Sequence, residues 1–458
     1  MEKILLTILI ACMTVGIFGG PILWKYGVPQ KSESDQKIPK QESASTTEKN
    51  TEKKSTTEKE STNFSEIRVL ISNNRLGSYS HNKIKITSAK PYYMKTGKKS
   101  VQKKAGEITI LDFKRDKQGQ TVTFSGAGKL QLLSVKRSYG NPSYRGTLEV
   151  RYGKSSMTVI NQLLLEEYLY AVIPSEMPVS YGLEALKVQA VCARSFAIRQ
   201  IQGNKFASYH ANVDDSVASQ VYNNTKETNE SIQAALDTAG EVICYKDQVI
   251  SAYFFSTSWG HTADSHDVWL QKGDSPLYLT GKLQNGSNEK LDLSTDEKVK
   301  KFLNQNIETY DSSFPWYRWS VTLPISKLAK SSIGSIRNVA VNKRGNSGVA
   351  KSLRITGSGG VKVVQGEYNI RQYLSPKGYK IKRKDGSTAS ADILPSGCFY
   401  LEQKGNNLKI YGGGYGHGVG MSQNGVKRQI ELGKNYQQII KYYYTGTKIE
   451  QISMSVNP

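Results

Sequence analysis

Glu176 is the residue of this sequence best placed to act as an acid, because it lies in the short segment Pro174-Ser175-Glu176-Met177-Pro178. Proline fixes its own φ angle and biases the preceding residue towards an extended backbone, so the two prolines predict a stiff loop. A carboxyl group held beside Ile173 and Met177 is expected to have a raised pKa, which suits a general acid. The alternative is a structural carboxylate that stabilises the N-terminus of the following helix.

Two cations lie on that following helix, which is predicted over residues 181–202 with Ser180 as its cap. Lys187 and Arg194 are seven positions apart and therefore share one face, about 10 Å apart along the axis. Such a pair is suited to binding an anionic polymer, and the alternative is an ordinary solvated face. The opposite stripe is apolar at steps of three and four: Leu183, Leu186, Ala190, Ala193, Ala197 and Ile201.

The third candidate is the glycine-rich segment Gly412-Gly413-Gly414-Tyr415-Gly416-His417-Gly418-Val419-Gly420-Met421-Ser422-Gln423. Glycine permits positive φ angles and close backbone approach, so His417 is expected to be exposed or tightly positioned. The spacing matches neither a phosphate-binding loop nor a dinucleotide fingerprint. The alternative is a plain glycine-rich turn.

No cofactor and no metal site are predicted. The histidines and cysteines beyond residue 63 are scattered and lack zinc-ligand spacing. Three cysteines are an odd number, so at least one is expected to be unpaired within the chain. The residues considered are His210, His261, His266, His417, Cys192, Cys244 and Cys398.

These candidates are positioned by a mixture of strands and helices. Alternating or β-branched runs predict strands at residues 67–71, 83–86, 107–111, 121–124 and 147–150. A helix over 229–239 and a hairpin of 241–245 with 249–255 follow, and a capping box at 294–297 starts a helix to about residue 304. Two strands are expected at 336–342 and 352–356, and two helices at 421–432 and 435–444. The predicted fold class is α+β: strand-rich with a few amphipathic helices, preceded by a single transmembrane helix and a disordered tether.

The N-terminal part accounts for the transmembrane helix and the tether. Residues 4–24 carry no charge and are long enough to span a bilayer as a helix, so residues 1–30 are interpreted as an anchor. A cleaved signal peptide and a lipoprotein signal at Cys12 are the alternatives. Residues 31–63 are rich in Lys, Glu, Ser and Thr, which predicts a tether without a core. The tether has no net charge and residues 1–30 carry +1, so +22 of the chain's +23 lies on residues 64–458.

Taken in order, the motifs of residues 64–458 resemble the stage II sporulation protein D and amidase-enhancer domain family. The resemblance rests on the run from Leu165 to Pro178, the run from Leu183 to Arg194, the segment Ala252-Tyr253-Phe254-Phe255-Ser256-Thr257 and the glycine-rich segment with Tyr442-Tyr443-Tyr444-Thr445-Gly446. It divides the region into a strand-rich part (64–160), a catalytic core (161–262), a strand-rich insertion (263–395) and a C-terminal motif (396–458).

The resemblance implies a peptidoglycan lytic transglycosylase that cleaves the MurNAc–GlcNAc bond to 1,6-anhydro products during sporulation. Glu176 falls on the position of the family's catalytic acid. The implied substrate-binding residues are Lys187, Arg194, Ser256, Thr257, Tyr415, His417 and Gln423. Some clostridial members bind zinc through a His-Cys pair where this chain has Ala218 and Ser219, so that zinc site is not expected.

The implied partners are peptidoglycan glycan strands, a peptidoglycan amidase and the membrane, with the C-terminal region outside the cytoplasm of a single-pass protein. A general acid that later acts as a base needs only one carboxyl group, whereas ordinary glycosidases need two. The alternative function is a non-catalytic, glycan-binding enhancer of an amidase. Nucleic acid is not an expected partner despite the basic charge, because no nucleic-acid motif is present and export is predicted.

Overall fold

The structure, a computed structural model, describes residues 65–452 except for 204, 271–274, 288, 306 and 329–332. Strands and helices are both abundant, so the α+β class is confirmed. The transmembrane helix of that prediction is corrected, because no helix among the described residues combines the length and the apolar surface that crossing a bilayer needs. The longest described helix, Leu183–Gln202, carries Glu184, Lys187 and Arg194. The predicted anchor and tether at residues 1–63 lie outside the described residues.

The strand-rich part forms two sheets, in which apolar side chains alternate with polar ones. In Thr147–Tyr152 every second side chain is buried, as the period of a half-buried strand requires. The seven-stranded sheet consists, in spatial order, of Val213–Asp214 (β11), Glu66–Ile71 (β1), Met157–Leu164 (β10), Thr147–Tyr152 (β9), Thr121–Gly126 (β6), Tyr92–Thr96 (β3) and Lys99–Lys103 (β4). The four-stranded sheet consists of Thr109–Asp112 (β5), Lys83–Ser88 (β2), Leu130–Leu132 (β7) and Ser143–Tyr144 (β8).

Three helices pack together beside the seven-stranded sheet: Leu165–Glu176 (α1), Leu183–Gln202 (α2) and Asn229–Asp237 (α3). Helix α2 is buried on most of its circumference, including Cys192, and contacts both α1 and α3. Its N-cap is Gly182 and not the predicted Ser180. Thr228 caps α3 through a reciprocal capping box with Ser231. The described cysteines 192, 244 and 398 are buried and unpaired.

The insertion and the first residues of the C-terminal part together build a second hydrophobic core, which includes Trp316, Trp319, Leu353 and Ile410. Its helices are Ser265–Trp269 (α4), Asp296–Asn304 (α5) and Glu367–Tyr373 (α6). A five-stranded sheet combines three strands of the insertion with two strands of the C-terminal part, in the order Thr388–Ala389 (β20), Ile381–Arg383 (β19), Trp319–Pro324 (β15), Asn407–Gly412 (β22) and Phe399–Lys404 (β21). Its three-stranded sheet consists of Ile336–Arg344 (β16), Ala350–Gly357 (β17) and Gly360–Gln365 (β18).

The C-terminal segment returns to the middle of the chain. The elements involved are Glu241–Tyr245 (β12), Gln248–Val249 (β13), Phe254–Phe255 (β14), Met421–Ser422 (β23), Gln423–Glu431 (α7), Tyr436–Tyr443 (α8) and Lys448–Gln451 (β24). Strand β24 pairs with β12, and β23 lies parallel to β14. The predicted strand 249–255 is therefore wrong as one element, because its two ends join different sheets. Its turn at Lys246 and Asp247 is confirmed, with positive φ at both residues.

Candidate active site

Glu176 is the last residue of α1, so the predicted loop between two prolines is wrong. Pro174 lies inside the helix, and its missing N–H leaves the carbonyl oxygen of Tyr170 without the usual helical partner. The hydroxyl group of Ser231, at the start of α3, donates a 2.9 Å hydrogen bond to that carbonyl instead. The helix continues through the proline because a neighbouring helix replaces the lost donor.

The carboxyl group of Glu176 is enclosed by protein atoms but keeps a partly exposed surface. Its Oε1 atom accepts a 2.6 Å hydrogen bond from the backbone N–H of Val221. Burial raises the pKa of Glu176 to about 7, and the hydrogen bonds from Val221 and Gln423 oppose that rise. A carboxyl group with a pKa near neutrality can donate a proton and later accept one.

Gln423 joins three helices at the end of α1. It is the first residue of α7 and is almost fully buried. Its Nε2 atom donates to the backbone carbonyl of Glu176 at 2.9 Å and to Oε1 of Gln189, on α2, at 3.3 Å. Gln423 therefore fixes the position of Glu176 relative to α2 and α7.

Asn424 connects this group to the predicted pair Ser256 and Thr257. Its Nδ2 atom donates to the Thr257 hydroxyl at 2.8 Å, and its backbone N–H donates to the Ser256 carbonyl at 3.0 Å. The Tyr181 hydroxyl donates to Oδ1 of Asn424 at 2.6 Å. The structure thus brings Ser256, Thr257 and Gln423 together near Glu176. Asn424 and Tyr181 were missed by sequence reasoning, although both directly neighbour motifs that it used.

Tyr415 and His417 hold the glycine-rich segment against β14. Tyr415 exchanges two backbone hydrogen bonds with Thr257, at 2.8 and 3.1 Å. The backbone N–H of Val419 donates to Nδ1 of His417 at 3.0 Å, and the backbone of Phe254 also hydrogen-bonds the imidazole. Burial lowers the pKa of His417 to about 4, so the ring is neutral near pH 7. The imidazole is therefore tightly positioned, one of the two states that the flanking glycines predicted.

Two family models match the chain, one described as a stage II sporulation protein over residues 153–245 and one described as a domain of unknown function over residues 263–420. An uncharacterised protein of Brachyspira hyodysenteriae is 30% identical over 307 residues, which cover 67% of this chain and 72% of that protein. The stage II sporulation protein D of Bacillus subtilis is 28% identical over 313 residues, covering 65% and 78%. The amidase enhancer of Bacillus subtilis is 29% identical over 298 residues, covering 61% of this chain and 40% of that protein.

The chain belongs to the stage II sporulation protein D family. The matched residues 153–245 contain α1 and α2, and hence Glu176. The glycine-rich segment up to Gly420 falls in the second match, which also covers most of the insertion.

Lys187 and Arg194 share one face of α2, as their spacing predicted. That face does not point to Glu176. Arg194 is fully buried and forms a bidentate ion pair with Glu166 at 2.7 and 2.8 Å. Lys187 forms ion pairs with Glu184 and Asp237 at 3.3 and 3.0 Å. Gln189, which contacts Gln423, projects from the other side of the helix. The substrate-binding role of both cations stays a prediction.

A buried ion pair anchors the segment between Asp215 and Val221, whose last residue contacts the Glu176 carboxyl group. Asp215 is fully buried, and its Oδ2 atom lies 2.6 Å from Nη2 of Arg137. The backbone N–H of Ser72, at the end of β1, donates to the same carboxylate at 3.0 Å. Sequence reasoning missed Asp215, which follows Asp214 in the chain but belongs to none of the predicted site segments. Its partner Arg137 is 78 positions away, which no local pattern indicates.

Asp311 is a second buried carboxylate that holds two segments of the site together. Its carboxylate accepts hydrogen bonds from the Ser258 backbone N–H at 2.9 Å, from the Ser258 hydroxyl at 2.7 Å and from the Ser422 hydroxyl. It therefore ties the residues after β14 to the cap of α7. Burial raises the pKa of Asp311 to about 6. Sequence reasoning missed this residue, since it lies in an irregular stretch of the insertion.

Proposed function

We propose that this chain is a lytic transglycosylase that acts outside the cytoplasm and cleaves the MurNAc–GlcNAc bond of peptidoglycan glycan strands. The observation that carries the proposal is the enclosed carboxyl group of Glu176, whose pKa is raised to about 7 by burial. Membership of the stage II sporulation protein D family and the name of the amidase-enhancer relative support a role in cell-wall remodelling during sporulation.

The chemistry requires only one carboxyl group. Glu176 protonates the glycosidic oxygen as the bond from C1 of N-acetylmuramic acid to that oxygen breaks. The resulting carboxylate then takes the proton of the C6 hydroxyl, and the C6 oxygen bonds to C1 to close the 1,6-anhydro ring. Val221 stabilises the carboxylate between the two steps, because its N–H already points at Oε1. The mechanism differs from two-carboxylate hydrolysis, in which a second carboxyl group activates water or forms a covalent intermediate.

The deciding experiment is the substitution Glu176→Gln, followed by incubation of the purified chain with glycan strands and mass spectrometry. We expect anhydro products to fall by about a hundredfold or more, as is typical for the loss of a general acid–base. Glu289→Gln, which changes an exposed carboxylate, is the matched control and should retain full product formation. Undiminished release of anhydro-saccharides by Glu176→Gln would contradict the proposal.

A second candidate is a glycan-binding enhancer of a peptidoglycan amidase, favoured by the name of one relative. On this hypothesis the unmodified chain releases no anhydro products but increases the rate of an added amidase. Glu176→Gln should then enhance the amidase as well as the unmodified chain does. The same product assay, with and without the amidase, separates the two candidates.

A further inference from the structure

Helix α7 places a lysine close to the proposed acid. Lys427 follows Gln423 by four residues, so both side chains lie on one face of the helix, about 6 Å apart along its axis. Gln423 contacts the backbone of Glu176 directly. Lys427 therefore lies one helical turn from the residue that contacts the end of α1.

Two aromatic rings surround the Lys427 ammonium group. Its Nζ atom lies 5.4 Å from the centroid of the Tyr181 ring and 5.9 Å from that of Phe314. The two ring centroids are 6.5 Å apart. Both rings and the lysine are only partly buried, so each of the three side chains keeps some surface exposed to solvent. Tyr181 is also held in place by its hydrogen bond to Asn424.

The charge of Lys427 is only loosely compensated within the protein. Its Nζ atom lies 3.7 Å from Glu431, and the same carboxylate is closer to Arg428, at 3.3 Å. The Lys427 and Glu431 side chains are 39% and 46% exposed, and ion pairs this exposed contribute little to stability. Arg428 can therefore compensate Glu431 while Lys427 binds an external anion.

We propose that Lys427, Tyr181 and Phe314 form a subsite beside Glu176 that binds a sugar ring carrying a carboxylate group. The ammonium group binds the carboxylate through a charge-assisted hydrogen bond, and the aromatic rings pack against the apolar face of the sugar. The inference rests on the proposed function, which makes that sugar N-acetylmuramic acid and the carboxylate that of its lactyl group. It assigns to Lys427 the role that the sequence suggested for Lys187 and Arg194.

The test measures binding by calorimetry with the full-length chain carrying Glu176→Gln, so that no turnover occurs. Two ligands of equal length are compared: peptide-free glycan oligomers that contain N-acetylmuramic acid, and uncharged chitin oligomers. Adding Lys427→Gln should weaken binding of the muramic-acid oligomer about tenfold or more, the typical effect of losing a hydrogen bond to a charged group. Binding of the chitin oligomer should stay within a factor of about two.

Lys441→Gln is the matched control, because it removes the same charge from an exposed position on α8. It should change neither affinity. Equal weakening of both ligands by Lys427→Gln, no weakening of either, or no binding of the muramic-acid oligomer by the parent would overturn the subsite. Phe314→Ala is expected to weaken both ligands, since ring packing does not depend on charge, and unchanged affinities would equally count against the proposal.

The two proposals fail separately. If the unmodified chain releases no anhydro products but Lys427→Gln still discriminates between the two ligands, the transglycosylase proposal is wrong and the subsite stands. If products form but the discrimination is absent, the subsite is wrong and the transglycosylase proposal stands. Thermal unfolding of each variant shows whether it is folded before binding is measured.

Discussion

At the scale of single residues, the proposed acid depends on burial. The pKa of Glu176 rises because protein atoms replace water around its carboxyl group, and a neighbouring negative charge is not needed. Burial also shifts the pKa of His417, but it lowers that pKa, because the charged form of a base is the protonated one. Both residues are thereby kept in their neutral forms over part of the neutral pH range.

Burial of Glu176 should make the stability of the protein depend on pH. The pKa is 4.5 in the unfolded chain and about 7 in the folded one, so the folded state holds the proton more tightly. The stability contributed by the protonated group is complete below pH 4.5 and is lost as the pH rises to about 7. Glu176→Gln removes this loss, and above pH 7 the variant should be more stable than the parent by about 3 kcal/mol.

Urea unfolding at several pH values between about 4.5 and 8 measures this effect. The difference between variant and parent should grow across that range. A difference that is the same at every pH would show that the carboxyl group titrates normally in the folded state.

At the scale of elements, the glycine-rich segment is shaped by close packing. Gly418 has a φ of 84°, and a Cβ atom there would lie 2.4 Å from the Trp259 ring. The segment must come this close for Tyr415 to pair with Thr257 and for His417 to reach Phe254. The glycines are therefore needed for space as well as for backbone conformation.

Gly418→Ala should lower the free energy of unfolding by at least about 3 kcal/mol, because it adds a clash with Trp259 to the cost of a left-handed backbone. Gly433→Ala is the matched control: its φ is 81°, and no described atom lies within 4 Å of the added Cβ position. It should cost only about 1–2 kcal/mol. Urea unfolding of both variants measures the difference, and equal losses would show that packing against Trp259 is unimportant.

At the scale of the whole molecule, the chain is strongly interleaved and strongly basic. Strand β24 pairs with β12, which lies about 200 residues earlier in the chain. Strand β23 likewise pairs with the much earlier strand β14. A net charge of +22 on residues 64–458 favours association with anionic wall polymers through long-range attraction.

Salt should therefore weaken binding of the full-length chain to isolated cell walls. Because salt screens charge over shorter distances as its concentration rises, we expect the bound fraction to fall several-fold between about 0.05 and 0.5 M salt. Co-sedimentation with wall fragments measures the bound fraction, and walls stripped of teichoic acids serve as the comparison. Binding that does not change with salt would exclude charge as the main attraction.

The local elements and the candidate acid were predictable from the sequence alone. Helix α2, the extent of helix α5 and the alternating strands were predictable, because side-chain periodicity indicates which face of an element is buried. The predicted capping box at 294–297 differs from the structure, where Thr295 caps α5 by accepting from the backbone N–H of Lys298. Helix α1 was not predictable in full, because Pro174 indicates a helix break. In the structure, the hydroxyl group of the distant Ser231 replaces the hydrogen-bond donor that Pro174 lacks, and the helix continues.

Only the tertiary structure decided which candidates meet. It placed Gln423 against Glu176, although the two are 247 positions apart, and turned Lys187 and Arg194 towards ion pairs elsewhere. It also introduced Val221, Asp215, Asp311 and Lys427, whose contacts no local pattern of the sequence indicated. The physical reason is that periodicity depends on neighbours along the chain, whereas a pKa, a hydrogen-bond partner or a subsite depends on segments that only folding brings together.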